Sequence, residues 1–495
     1  MQLPKLFPKR CNRAAAKSAF GVLSAPLPNS ACKKKLYKFR PKEKEQEVEQ
    51  HVTKKHCKTV KADPISLERG VRQMLADKIS GTHVGLWLLI PEHLRLGTWE
   101  LLKAWSGIHD NNALQPRLAL QKVHESALCV NGIRERRTLR QKGFETLNGL
   151  PFVATDQAIY DLLEGHTIAE ASSLQLALGQ IRQVLGHYAG RLVLIDPHRI
   201  KTTSKRQMQL RKEHTSEKAS KVMQTFFAVD GDTHQPFGLG IGSSAVTATQ
   251  AALPLVEQLA NILPEEALVI ADKEHFTVEL LNALSKHPKF TFLMPVPRHK
   301  NILNQIPAMK FTPLWAGYAA AEGTYELAGQ NKTSLRLIMQ RTGEREDAYQ
   351  YQPFVTSSGL PAEELMTLIF PKRWHIEEFF NTESALGWNR ASTHNLNIRF
   401  ARFSLALIAQ AATYGLRQKL PEDIKNWNAQ SLAQKLFAGI DGDIKVRDDT
   451  IIVTLYNAPN YLKERYENLP EKLLAEKINP KIPWLYDFKL DFRFR

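Results

Sequence analysis

Two short apolar runs in this chain each stop at an aspartate: Arg191-Leu-Val-Leu-Ile195 at Asp196, and Ala267-Leu-Val-Ile-Ala271 at Asp272. Runs of this length, rich in Val, Ile and Leu, predict buried strands. Each carboxylate then stands where a strand leaves the core. A third, Glu377, falls in the helical pattern Trp374–Glu377–Phe380 within Phe370-Pro-Lys-Arg-Trp-His-Ile-Glu-Glu-Phe-Phe380. Two strand-end aspartates and a helix glutamate make a hard, all-oxygen donor set suited to Mg²⁺ or Mn²⁺. Ionised carboxylates held together in a partly dry site repel one another, and a divalent cation relieves that repulsion. The constellation points to metal-assisted phosphoryl transfer.

The chain's size and charge bound the rest. At 495 residues it exceeds one ordinary core, so two or three domains are expected. A formal net charge of +17 implies a polyanionic partner. No apolar stretch approaches the roughly 20 residues of a membrane-spanning helix, and the longest candidate, 84–90, stops at Pro91. No membrane association is expected. Cys11, Cys32, Cys57 and Cys129 form no disulfide framework in a chain this size. The first three, with His51 and His56, offer zinc donors but no C-x-x-C pair, so free thiols in a reducing compartment are the reading preferred.

Residues 1–42 hold no acidic residue and many Lys and Arg, and read as a mobile basic arm that touches phosphate or as a solvated tail. A charged run, 42–61, links it to a helical region at 62–189, an expected DNA-binding part. The clearest helix there carries Leu174, Leu178, Ile181 and Leu185 on one stripe, and the segment Arg134–Arg140 offers a basic face for a DNA groove, or an ordinary solvated one. From Gly190 strands and helices alternate. After Asp196 comes a basic loop with Arg199, Lys201, Lys205, Arg206, Arg211 and Lys212. Segments 222–229 and 237–241 then flank a hairpin turn, Asp230-Gly-Asp-Thr-His-Gln-Pro236. A hairpin-bearing sheet followed by βαβ units fits an α/β RNase H-like core over 190–300. A β-rich insertion is expected at 301–360, the helical remainder of the core with Glu377 at 361–420, and a helix with a β-hairpin tail at 421–495. The N-terminal region before the core is expected to be all-α.

Around Glu377 the chain resembles a known family, the DDE transposases of bacterial insertion sequences in the group related to insertion sequence four. That family's third-carboxylate signature is Tyr, two residues, Arg, three residues, Glu, six residues, Lys. Arg373 and Glu377 match it in register, while Phe370 stands at the Tyr position and Ser384 at the Lys position. Arg390 is a candidate substitute for the lysine. Pro197 and His198 follow the first aspartate where many relatives have Thr or Ser. The resemblance covers about residues 192–416. It implies a transposase that cleaves DNA and transfers strands at the ends of an insertion sequence. Its partners would be double-stranded DNA, as element ends and target, bound by a homodimer in the bacterial cytoplasm at the nucleoid.

Residue roles follow. Asp196, Asp272 and Glu377 would hold two Mg²⁺ ions, with Mn²⁺ as a substitute. Arg373, one helical turn before Glu377, either orients that carboxylate, clamps a phosphate in a bidentate fork, or forms a structural salt bridge. Lys205, Arg206, Arg211 and Lys212 would contact DNA phosphates. Asp230 and Asp232 suit the hairpin turn better than a metal shell. His198, His275 and His375 flank the carboxylates as hydrogen-bonding neighbours, and Trp374 reads as a core residue with base stacking as the alternative. Two other readings stay open: an RNase H-like DNA nuclease without strand transfer, and a DNA-binding protein whose catalytic site has decayed.

Overall fold

The computed structural model describes residues 63–107, 113–211, 219–327, 333–390 and 393–495. The basic arm and charged linker at 1–61, with Cys11, Cys32, Cys57, His51 and His56, lie outside the described residues, as does Lys212. Strands run in chain order as β1 (Ile79–Gly81), β2 (Leu192–Lys201), β3 (Leu210–Arg211), β4 (Ser220–Asp230), β5 (Pro236–Gly242), β6 (Ala267–Ala271), β7 (Phe290–Pro295), β8 (Thr312–Trp315), β9 (Tyr318–Glu326), β10 (Ser334–Thr342), β11 (Gln350–Thr356), β12 (Gly442–Arg447), β13 (Thr450–Leu455) and β14 (Lys489–Phe494).

One sheet has the order β3-β4-β2-β6-β7-β11-β10-β9-β8, with β5 also paired to β4. Strands β2, β6 and β7 are parallel neighbours, and their residues Val193, Val269 and Phe292 are fully buried. Sheets of this kind need crossover helices. Ala248–Ile262, started by a Thr247/Gln250 capping box, and Val278–Lys286 supply them. Strand β11 pairs antiparallel with the far edge of β7. The segment expected as a separate β-rich insertion therefore extends the central sheet, which covers an edge that would otherwise present unpaired N–H and C=O groups.

Strand β2 does not stop at Asp196. Up to Ile195 it pairs with both β6 and β4, and from Asp196 to Lys201 it pairs with β4 alone. The apolar pattern ends where two-sided pairing ends, and Pro197 is tolerated because that side of the strand asks for no ladder bond.

The N-terminal region is mostly helical but not all-α: β1 joins a four-stranded sheet with β12, β13 and β14. The expected C-terminal hairpin is thus part of the same layer as the N-terminal segment. In the helix Ile168–Val184, capped by Thr167 and Glu170, the inward face carries Leu174, Gln175, Leu178 and Arg182, while Leu185 is 41% exposed. The apolar stripe is rotated because Arg182 is buried and satisfied: its guanidinium donates to Gln410 Oε1, Gln235 Oε1 and the Pro236 carbonyl. Gln175 likewise donates to Ser404 Oγ, tying this helix to Leu396–Arg417, which is buried almost all round.

Arg136, in the segment read as a DNA-groove face or as an ordinary solvated one, pairs with buried Glu125 and with Asp156, and Lys122 completes the group at 3.1 Å from Glu125. A buried carboxylate needs such partners, so this part of the basic segment is structural. No described helix is long and apolar enough to cross a membrane.

Candidate active site

The last parallel register pair between β2 and β6 is Ile195 opposite Ala271. Asp196 continues β2, and Asp272 is the first residue after the end of β6; the two strands lie about 4.8 Å apart. Asp272 is half-buried and turns the chain out of the core, its carboxylate accepting from Lys273 N at 2.7 Å.

Glu377 arrives from the other side of the sequence. A tight helical segment, Phe370–Trp374, runs directly into the helix His375–Glu383. Its end is marked by Gly387 at φ +131°, a conformation that strains a residue with a Cβ. The expected continuous helix from Glu377 to residue 416 is therefore broken into two. Phe227, fully buried and paired in register with Asp196, holds the first of them in place. Its ring centroid lies 5.6 Å from Phe379, 5.3 Å from Phe380 and 5.2 Å from Trp388. Phe370, at the position of the family tyrosine, packs edge-on against Phe354 at 4.7 Å.

These elements bring Asp196, Asp272, Glu377 and Arg373 into one electrostatic neighbourhood. Burial pushes the Asp196 carboxyl up to about 8; the Arg373 guanidinium opposes that rise, and Asp272, Glu274 and Glu377 add to it. Arg373 Nη2 stands 3.9 Å from Glu377 Oε1, an ion pair too long to be a hydrogen bond. Arg373 is thus loosely held between two carboxylates. Three clustered carboxylates, one of whose ionisation burial resists, fit a hard divalent cation.

Glu274 is the neighbouring carboxylate that sequence reasoning missed. It lies two residues past Asp272, and Arg199 Nη2 donates to both its carboxylate oxygens, at 2.9 and 2.6 Å. Arg199 is therefore a strand residue neutralising Glu274, not a member of a basic loop. The only signal was a second acid in the string Asp272-Lys-Glu274.

The expected phosphate contacts separate. Lys205 and Arg206 are exposed, whereas Arg211 is half-buried and donates to the carbonyls of Ser244 and Val246 at 3.1 and 3.4 Å. Because β2 continues for five residues beyond Asp196, the loop begins about 16 Å further along the strand rather than beside the carboxylates. Arg390, the candidate substitute for the family lysine, reaches Glu135 at 3.6 Å.

Among the flanking histidines, His198 packs on Phe380 at 4.6 Å and burial pushes it down to about 4. His275 is fully buried behind Asp272. His375 turns away, its Nδ1 2.6 Å from the Gly231 carbonyl oxygen. Trp374 is 54% exposed, with the Arg373 guanidinium 5.3 Å from its ring, so the core placement expected for it does not hold. Asp230 is buried in the hairpin turn and accepts from the backbone N–H groups of Gly190, Asp232 and Thr233. Cys129 is half-buried, and burial pushes its thiol up to about 12.

Residues 187–411 match the family model described as a transposase DDE domain, and the rest of the chain lies outside that match. No curated protein matches the chain. Among solved structures, the cryo-EM structure of a piggyBac transposase synaptic complex with hairpin DNA is similar at 8% identity and a TM-score of 0.37, covering 73% of this chain and 82% of that one.

Proposed function

We propose that this chain is a DDE transposase that uses Asp196, Asp272 and Glu377 for metal-dependent cleavage and strand transfer on DNA. One observation supports the reading: Asp196 and Asp272 follow the last register pair of β2 and β6, and both, with Glu377 from the helix, belong to one charge neighbourhood. The match of residues 187–411 to a transposase DDE domain supports it. So does the strand order β5-β4-β2-β6-β7, antiparallel in its first half and parallel in its second, which suits an RNase H-like core.

Asp196, Asp272 and Glu377 would hold Mg²⁺, with two ions expected and Mn²⁺ as a substitute. The metal, when bound, supplies Lewis-acid polarisation of phosphoryl oxygens and lowers the pKa of an attacking oxygen. The protein's own part is positional. Arg373 can present a planar two-donor fork to a phosphate while restraining Glu377. The apolar wall of Phe227, Phe379 and Phe380 fixes the helix that carries the third carboxylate, and Arg199 keeps Glu274 paired so that it does not compete for the cation. Duplex DNA is the substrate class that fits a chain of net charge +17.

The test uses the full chain with DNA taken from either side of its coding region. Mg²⁺-dependent cleavage should vanish in Asp196→Ala, Asp272→Ala and Glu377→Ala while end binding persists, because binding energy comes largely from phosphate contacts elsewhere. Unchanged cleavage in any one variant removes that residue from the site. Cleaved ends that never join to a target would favour the nuclease reading, and binding without cleavage in the unaltered chain the decayed one.

A further inference from the structure

The helix that carries Glu377 meets the β4–β5 turn through a second group of donors. The rings of His234 and His375 lie 4.1 Å apart, and His234 Nδ1 is 3.7 Å from Glu378 Oε2. One donor atom from each of His234, His375 and Glu378 falls within 4.8 Å of the other two. His375 Nδ1 lies 2.6 Å from the Gly231 carbonyl oxygen. A carbonyl only accepts, so the proton sits on Nδ1 and Nε2 keeps a lone pair for a ligand. Metal-binding imidazoles are oriented in this way, by a backbone acceptor on the other ring nitrogen.

The turn is built to present its histidine. His234 is held at φ +57°, an uncommon conformation for a residue with a side chain. Asp230 fixes the turn from inside by accepting from Asp232 N and Thr233 N, both at 2.9 Å. The Lys372–Asp232 ion pair at 2.6 Å ties the same turn to the approach of the helix. His375 and Glu378 are spaced i, i+3 and share a face, whereas at about 100° per residue Glu377 points roughly 160° away from His375. The two donor groups therefore use different sides of one helix and share no residue.

We propose that His234, His375 and Glu378 bind a divalent transition-metal ion of the Zn²⁺ class, which clamps the β4–β5 turn to the helix of Glu377. Two imidazoles and a carboxylate are a donor set that zinc favours and Mg²⁺ does not. Ligands about 2.1 Å from a tetrahedral ion sit about 3.4 Å apart. Side-chain rotation would have to close the cluster from within 4.8 Å to that spacing, and Glu378, whose side chain is 60% exposed, is free to turn. A fourth position is left for water. The role is positional, since the clamp sets where the helix, and hence Glu377, stands against the sheet. It does not depend on what Glu377 itself does.

Co²⁺ titration of the metal-stripped full chain tests this, in excess Mg²⁺ to saturate oxygen-only sites. The background carries Cys11→Ser, Cys32→Ser and Cys57→Ser, so that N-terminal thiolates cannot contribute. The expected result is one tightly bound Co²⁺ with the intense visible bands of low-coordinate geometry, displaced by Zn²⁺. Glu378→Gln, at an exposed position that leaves folding intact, should weaken it by about tenfold or more, and His234→Ala should abolish it. His234→Cys should restore binding with a new thiolate-to-cobalt band in the near ultraviolet. Absence of the visible bands in this background overturns the proposal. So does a His234→Cys protein, folded by circular dichroism, that shows no thiolate band.

Discussion

Phe227 stands opposite Asp196 in the β2–β4 register, and its ring lies 5.3 Å from that of Phe380, three residues past Glu377. One apolar side chain thus links the strand of the first carboxylate to the helix of the third. Phe227→Ala should destabilise the fold by about 3–5 kcal/mol, through lost burial and the cavity left behind. Phe227→Leu, which keeps much of the volume, should cost less and retain more Mg²⁺-dependent cleavage. Urea unfolding and cleavage on the same preparations check both. An alanine variant with unchanged midpoint would remove Phe227 from this role.

The Asp196 carboxyl makes the metal-free protein sensitive to pH. Its folded-state value, about 8, lies above the ordinary aspartate value near 3.9. Its contribution to stability is therefore full below about pH 4 and is lost as pH rises towards 8, because the folded chain must then ionise a group that it holds protonated. Thermal midpoints without Mg²⁺ should fall across that window, more steeply in the unaltered chain than in Asp196→Asn. Binding of Mg²⁺ near neutral pH should release a proton, measurable by calorimetry in buffers of different ionisation enthalpy. No difference between the two proteins in either measurement would contradict the assignment.

Arg373 restrains Asp196 and Glu377 through charge, but a two-point grip on phosphate needs its planar fork. Arg373→Lys should keep the pH window of Asp196 while cleavage falls by about tenfold or more, the scale of one lost charge-assisted hydrogen bond. Rates are compared at saturating Mg²⁺ and DNA. A lysine variant within about twofold of the original would make the contact with Glu377 the whole of its role, since a point charge can supply that.

Lys205 and Arg206 are the exposed cations of the loop after β2, whereas Arg211 is held by backbone carbonyls. Neutralising the first two together should flatten the dependence of log affinity on log salt by about 1.8, at about 0.9 per phosphate. Cleavage at saturating DNA should change little, because the loop begins well along the strand from Asp196. Arg211→Ala should instead lower the unfolding midpoint and leave the salt slope in place. An unchanged salt slope in the double variant would assign DNA contact elsewhere.

Much of this was legible in the sequence because short-range physics controls it. A run of Val, Ile and Leu that ends in Asp marks both a buried strand and its exit, and the Arg373–Glu377 spacing follows from helical geometry alone. The hairpin at Asp230–Pro236 was readable from its turn residues, and its aspartate indeed serves backbone N–H groups. Pairing partners were not readable. The far half of β2 is polar and proline-bearing, and only the length of β4 beside it keeps it a strand. Trp374 has the composition of a core residue, yet the turn before the helix leaves it exposed.

The sequence by itself determined which residues carry acid, base and apolar character, and the local period that places each on a strand or a helix. Tertiary structure alone decided which of them meet. Glu274 joins the carboxylates and is claimed by Arg199 from a strand 75 residues away. Arg136 turns inward rather than facing solvent or DNA because buried Glu125 demands a partner. His234 finds His375 across 141 positions because a hairpin turn and a helix pack together. Such meetings depend on long-range sheet order and helix docking, and burial then assigns each charge its partner, since an unpaired charge in the interior costs more than the fold can spare.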